Sequence, residues 1–241
     1  MDIREFHSAL DSERFGYNVA KINTFDYPVV DLLNVLKLSN YKLVLSKVNA
    51  NNISLINRLE EHGFLLKDIQ LTYKYELIET LSLSLTEDLT IRDARLADKE
   101  ELHYIAINSF ESYGHYFADE KLNSTQSKEI YGDWIIRSYD KNVADNIIVA
   151  EINGEIAGFL SHKIHHDRIR YAVGGIGAVA SKYRNRDIFR AITISGINWA
   201  IENQCQWVEH NVLVTNSPVM RSFGKLGFKP ANSFITFHKW L

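Results

Sequence analysis

The segment Lys182-Tyr183-Arg184-Asn185-Arg186-Asp187-Ile188 has the residue types and placement that best suit chemistry. It follows an apolar run ending in Ala178-Val179-Ala180 and precedes a long apolar-periodic stretch, which reads as a turn from a strand into a helix over about 186–203. N–H groups at a helix start lack intrahelical partners and carry the positive end of the helix dipole, so such a turn can hold a pyrophosphate. Arg184 and Arg186 add charge in the turn, and Lys182 lies just before it. Upstream, Gly174-Gly175-Ile176-Gly177 lies inside the strand and lacks G-x-G-x-x-G spacing before a helix, so it reads as backbone kept bare for a ligand's approach. His162, His165 and His166 are one ligand type, with only Asp167 following at ligand spacing, so no metal site is expected.

The elements that must position this turn follow from periodicity. In the first half a strand from Gly16, a helix opened by Pro28, a strand KLVLSKVN, a helix capped by Asn52 and ended by Gly63, and a long strand FLLKDIQLTYKYEL succeed one another. The polar stretch ETLSLSLTED is the expected connection, giving domains 1–80 and 88–241. The second half reads β-α-α-β-β-β-α-β-α-β. Its helices are expected at about Asp98–Ser109 and around EIYGDWIIRSY, with an aromatic loop, FESYGHYFADEKL, between them. Asn153-Gly154 joins two strands as a hairpin.

A shift of 164 positions lays VNANNISLINRLEEHGFLLKDIQLTYKYEL over VLVTNSPVMRSFGKLGFKPANSFITFHKWL without gaps, Asn52 on Asn216 and Gly63 on Gly227. Either the N-terminal domain is a degenerate copy of the last β-α-β unit, or any strand–helix–Gly–strand unit matches this well.

Composition bounds the partners. With 241 residues, 46% hydrophobic and a formal net charge of −3, the chain is expected to be globular, with no electrostatic case for nucleic acid or an anionic membrane. One cysteine, Cys205, excludes a disulfide framework. The first sixteen residues carry charge and no apolar core of a signal peptide, and no apolar run is long enough to span a bilayer. A cytoplasmic protein acting on small molecules is the expectation, with homodimerisation through sheet edges possible.

The element order, the 184–189 turn and the terminal Asn216…Leu226-Gly227-Phe228 resemble the GNAT superfamily of acyl-CoA N-acyltransferases, as does the opening TIRDARLADKEEL. The resemblance implies an α/β fold with a mixed, mostly antiparallel sheet splayed at the acyl-CoA site, and a smaller N-terminal α/β domain like a partial GNAT repeat. Acetyl-CoA is the implied donor. Its pantetheine arm would lie along Gly177–Ala180, with N–H groups around Val179 polarising the thioester carbonyl. Ala178, Val179, Ala180, Arg184, Asn185, Arg186, Asp187, Ile188, Asn216 and Phe223 are the implied cofactor contacts. The chain departs from the family pattern in three places. Asp187 and Phe189 stand where the signature has Gly and Gly or Ala, and Phe223 where the family commonly has a Tyr that protonates the departing thiolate.

Attack by an amine needs a base. Glu209, His210 and His162 are the candidates; Glu209 and His210 are neighbours on a strand and face opposite ways. His210 is favoured because an ordinary imidazole titrates near neutrality. Ser222 or a water would replace the missing Tyr as acid, or the protein binds without turnover. Along its whole length the chain also resembles N-acetyltransferases of TDP-linked 4-amino-4,6-dideoxyhexoses, in Arg14-Phe15-Gly16-Tyr17, Asn108-Ser109-Phe110 and Tyr131-Gly132-Asp133-Trp134-Ile135. Tyr113, His115, Tyr116, Phe117 and Asp119, with His162, are then the expected acceptor contacts. Another small amine or a peptide N-terminus is the other acceptor reading.

Overall fold

The computed structural model describes residues 2–83, 85–110 and 113–241, so Ser84 of the expected connection and Glu111 and Ser112 of the aromatic loop lie outside the described residues. The helices are α1 (Ala9–Phe15), α2 (Val29–Leu38), α3 (Ile53–Glu61), α4 (Lys99–Ser109), α5 (Gly114–Phe117), α6 (Ser124–Arg137), α7 (Ile188–Glu202) and α8 (Ser217–Leu226). The strands are β1 (Asn18–Lys21), β2 (Tyr41–Asn49), β3 (Leu65–Glu76), β4 (Leu89–Asp93), β5 (Asn146–Ile152), β6 (Glu155–His166), β7 (Arg170–Val179), β8 (Trp207–Leu213) and β9 (Lys229–Trp240). Two helices escaped the sequence reading: α1 and the one-turn α5 inside the aromatic loop. α7 starts two residues later than expected, because Asp187 takes a left-handed conformation that helix cannot continue through.

Two compact units divide the chain. One comprises residues 1–71, 112–127 and 232–241, the other 72–111 and 128–231, so β3 and β9 contribute to both.

The first unit has strand order β1-β2-β9-β3, with β1 parallel and β9 antiparallel to β2. Alternation along β2 and β9 sends Val44, Val48, Ile235 and Phe237 into a core with Leu32 and Leu36 of α2 and Leu55 and Leu59 of α3. Lys47, Leu45, Thr236, His238 and Trp240 take the other face.

The second unit has order β3-β8-β7-β6-β5-β4, antiparallel from β7 through β4 and parallel where β7 meets β8. Asn153 and Gly154 both have positive φ (51° and 82°), as a tight hairpin requires. α7 buries Ile188, Ala191 and Ile192 against Ile148, Ala150 and Leu160. Leu81 is tied to α7 in both directions, its N–H donating to Asn198 Oδ1 (2.8 Å) and its carbonyl accepting from Asn198 Nδ2 (2.9 Å).

The 164-residue correspondence extends to the hydrogen bonds. β3 and β9 occupy equivalent positions end to end. Phe64 N–H donates to Leu59 O as Phe228 N–H does to Phe223 O, both at 3.0 Å. Gly63 and Gly227 both take the left-handed conformation (φ 72° and 91°). In the second unit Leu77 N–H donates to Gln206 O (2.9 Å); in the first, Leu241 N–H donates to Lys42 O (3.0 Å). The same register therefore serves both β-α-β units.

Candidate active site

The site is built where β7 leaves β8. The two strands pair only over Ala172–Val208, Val173–Glu209 and Gly174–His210. Just beyond, β7 bulges: Gly175 and Ile176 face the single β6 residue Ser161, whose hydroxyl donates to Ile176 O (3.2 Å). A bulge bends and twists its strand, which accounts for the parting. Ala180 N–H donates to Ala157 O (2.9 Å), so by antiparallel alternation Ala178 also bonds toward β6. Gly177 and Val179 then direct N–H and C=O away from β6, on the side where β8 no longer pairs. A linear ligand with amide groups can pair there, and an oxyanion could accept from Val179 N–H.

The last paired rung carries His162, Gly174 and His210 side by side. The bare Cα of Gly174 admits the His210 ring: a Cβ there would lie 1.9 Å from Nδ1. Gly196 of α7 does the same for His162, at 2.3 Å from Nε2. Both imidazoles are buried, 5.7 Å apart edge to face, and Nδ1 and Nε2 of His162 and Nε2 of His210 make no hydrogen bond among the described residues. Burial pushes His162 down to about 4; burial and then the neighbouring His162 push His210 to about 3. An imidazole this hard to protonate is neutral at pH 7 but a feeble proton acceptor. Glu209 points the other way and accepts from Trp207 Nε1 (2.9 Å).

Phe223 is buried under the same rung, its ring 5.0 Å from His210, 5.5 Å from Tyr73, 5.7 Å from Phe189 and 5.0 Å from Phe228. Phe189 thus turns its ring inward, leaving backbone rather than bulk at the turn. Ser222 is half-buried on α8. Asn216 caps α8, accepting from Val219 N–H (3.3 Å).

The basic turn is partly neutralised. Lys182 and the Tyr183 hydroxyl both bind Glu155, and Arg186 pairs with Asp88 (2.9 Å). Arg184 has no carboxylate partner among the described residues and folds back on Val179 O (3.4 Å). Asp187 supplies the left-handed turn (φ 55°, ψ 14°) that a Gly ordinarily serves, and Asn185 is left-handed too (φ 64°). Ile188 is buried as the first residue of α7.

Of the expected acceptor contacts, His162 belongs to the rung above, and the others lie apart from it in sequence, from Tyr113 at the start of α5 to Asp119 just after it. Tyr116 donates its hydroxyl to Asp11 (2.9 Å); Tyr113 and Phe117 are half-buried. Asp119 is buried and accepts from His238 Nδ1 (2.6 Å) and Trp240 Nε1 (3.0 Å), and His115 Nδ1 lies 2.8 Å from His238 Nε2. His238 was missed by the sequence reading, as was Asp68. Their only signal is period-two polarity, Asp68-Gln70-Thr72 and Thr236-His238, in otherwise apolar strands.

The model of the GNAT acetyltransferase family matches residues 99–228, just over half of the chain. The chain belongs to the GNAT family of acetyltransferases. GNAT structures share its fold. A GCN5-related N-acetyltransferase from Sphaerobacter thermophilus is 16% identical with TM-score 0.57, over 82% of this chain and 59% of its own length. A tandem GNAT protein from the clavulanic acid biosynthesis pathway is 12% identical with TM-score 0.64, over 87% and 67%. A GCN5-related N-acetyltransferase from Kribbella flavida is 11% identical with TM-score 0.64, over 92% and 81%. The chain thus spans less than two thirds of the first of these proteins. No curated protein matches the sequence. No helix among the described residues is long and apolar enough to cross a membrane.

Proposed function

We propose that this GNAT protein is an N-acetyltransferase that takes an acetyl group from acetyl-CoA and delivers it to the primary amine of a nucleotide-linked amino sugar. The observation that carries the donor half is the parting of β7 and β8 beyond Gly174–His210, with Gly177 and Val179 directing their N–H groups away from β6. In this reading the pantetheine arm pairs with Gly177–Ala180, Val179 N–H takes the thioester oxygen, and Arg184 with the start of α7 meets the pyrophosphate. The acceptor half rests on the sequence resemblance to TDP-amino-sugar N-acetyltransferases and on the polar, aromatic segment from Tyr113 to Asp119. The setting in this reading is cytoplasmic synthesis of surface-polysaccharide precursors. Residues 1–80 and 88–241 are its two modules, the first a degenerate half-copy of the second, an idea that the shared register and capping support.

Isothermal calorimetry with acetyl-CoA, and with free CoA for comparison, tests the donor. Saturable micromolar binding supports it, and no binding at millimolar acetyl-CoA overturns it. One observation favours a second reading, a GNAT module that binds cofactor without turnover: Phe223 is packed among aromatic rings where the family commonly has its acid. Tight acetyl-CoA binding with no acetylated product from any TDP-amino sugar would favour that reading.

A further inference from the structure

We propose that the two β-α-β repeats exchange their last strands, and that β3, supplied by the N-terminal repeat, is the strand that holds β8 where it parts from β7, with Tyr73 as its positioning residue.

The strand order points to the exchange. In the repeat reading β2-α3-β3 and β8-α8-β9 are the two copies, yet the neighbour of β2 is β9 and the neighbour of β8 is β3. The contacts of the exchanged strands recur at the 164-residue spacing. Leu241 N–H donates to Lys42 O in the first unit, and Leu77 N–H to Gln206 O in the second. Thr236 is the register partner of Lys47, and Thr72 donates its hydroxyl to Asn211 Oδ1 (2.7 Å). Phe237 of β9 shares a core with Leu59 of α3, and the Tyr73 ring of β3 lies 5.5 Å from that of Phe223 on α8. A Cβ on Gly63 would meet Lys239 of β9, and one on Gly227 would meet Tyr75 of β3. Each of these contacts joins the last strand of one copy to the strand, helix or helix end of the other. A slip of one residue in either pairing would send Phe237 or Tyr73 to the opposite face, so the agreement specifies one register in both units.

β8 depends on β3 because it leaves β7. Beyond Gly174–His210, β8 makes no rung with β7 among the described residues, so one side of Asn211–Leu213 is open. On the other side, Leu77 meets Gln206 and Thr72 meets Asn211, five residues along each strand, so β3 runs antiparallel to β8 up to the parting. Without β3, β8 would present two unpaired edges and be free to close back on β7. The side chains add to this support. Phe223, which Tyr73 touches, lies 5.0 Å from His210 on the last rung and 5.7 Å from Phe189 in the first turn of α7. Through that one ring Tyr73 steadies both β8 and the helix start that follows β7. As support for an acetyl-CoA gap this rests on the transfer reading above; the exchange rests on the paired contacts alone.

The test uses the full chain with a protease site inserted between Glu79 and Thr80, which are exposed, so that Leu77 and the Leu81–Asn198 clamp stay as they are. After cutting, the two pieces are expected to elute together at the volume of the uncut chain and to bind acetyl-CoA with its affinity in calorimetry. Their urea midpoint is expected to rise with protein concentration, as it does for an association. Pieces separated in urea are expected to bind acetyl-CoA only when refolded together. Tyr73→Ala is expected to weaken acetyl-CoA severalfold, and Tyr73→Phe, which keeps the ring, to bind it as the parent does. Pieces that part in native buffer, or residues 80–241 alone binding acetyl-CoA like the uncut chain, would overturn the exchange. A Tyr73→Ala variant with parental affinity would remove Tyr73 as a positioning residue. An uncut chain that binds no acetyl-CoA would overturn the gap together with the transfer reading, and co-elution of the cut pieces would still decide the exchange.

Discussion

Asn52 and Asn216, 164 residues apart, cap α3 and α8 with the same backbone angles, φ −86° and ψ 64°, and with the same bond, Oδ1 accepting from the N–H three residues on. Each satisfies one of the orphan donors of its helix. Replacing either by Ala is expected to lower stability by about 1 kcal/mol in urea unfolding. The two should differ in ligand binding. The family resemblance makes Asn216 a cofactor contact as well, so Asn216→Ala is expected to weaken acetyl-CoA and Asn52→Ala is not. Equal acetyl-CoA affinities in the two variants would leave Asn216 as a cap and nothing more.

At the basic turn the charges are not equivalent. Lys182 is spent on Glu155 and Arg186 on Asp88, whereas Arg184 has no acid. Arg184→Ala is expected to weaken acetyl-CoA about tenfold, most clearly at low salt, and Lys182→Ala to change it little. Asp187→Gly removes a negative charge from the helix start. Relief of its left-handed conformation and the extra freedom of an unfolded Gly are each about 1 kcal/mol and oppose one another. Its melting temperature should therefore barely move while acetyl-CoA binds severalfold tighter. Weaker binding by Asp187→Gly would mean that the carboxylate helps to hold the ligand.

These ion pairs show where the sequence stops being informative. The turn itself was legible, because an apolar run, a basic hexapeptide and a periodic helix are local signals. Asn153-Gly154 and the Asn52 cap were legible for the same reason, whereas Asn216, expected as a cofactor contact, is seen to cap α8 only in the structure. Glu155 and Asp88 lie 27 and 98 residues from their partners, and no local pattern assigns them. His238 and Asp68 were hidden differently. A polar residue at alternate strand positions reads as solvent-facing unless something covers that face, and only tertiary packing decides that. The burial of His210 is of this second kind. Its residue type suggested a base, whereas the bare Gly174 beneath it and the Phe223 ring against it make it a core histidine at the edge of the splay.

Phe223 is the centre of that packing. Phe223→Ala is expected to cost about 3–5 kcal/mol, because the four rings around it cannot collapse into the space of a benzyl group. Phe223→Tyr, which restores the residue common in the family, adds a hydroxyl among aromatic faces and is expected to cost about 1–3 kcal/mol. Urea unfolding of the two variants checks both figures. A Tyr variant as stable as the parent would show that its hydroxyl finds a partner, and would make it the one to assay for faster turnover.

The histidine pair under Gly174 makes stability depend on pH. Both rings have folded-state values, about 4 for His162 and about 3 for His210, below the ordinary unfolded value near 6.5. The unfolded chain therefore binds protons that the folded chain refuses. The stabilisation from keeping them neutral is complete above pH ~6.5 and is lost as pH falls toward 4 and then 3. The slope is on the order of 1 kcal/mol per pH unit for each histidine. Unfolding free energies at pH 7, 6 and 5 are expected to fall steadily. His162→Leu removes one titrating ring and two unpartnered nitrogens, so it should flatten the slope by about half and be more stable than the parent at pH 5. A parent protein equally stable at pH 7 and pH 5 would mean that these rings are wetter than their packing against Trp199 and Phe223 implies.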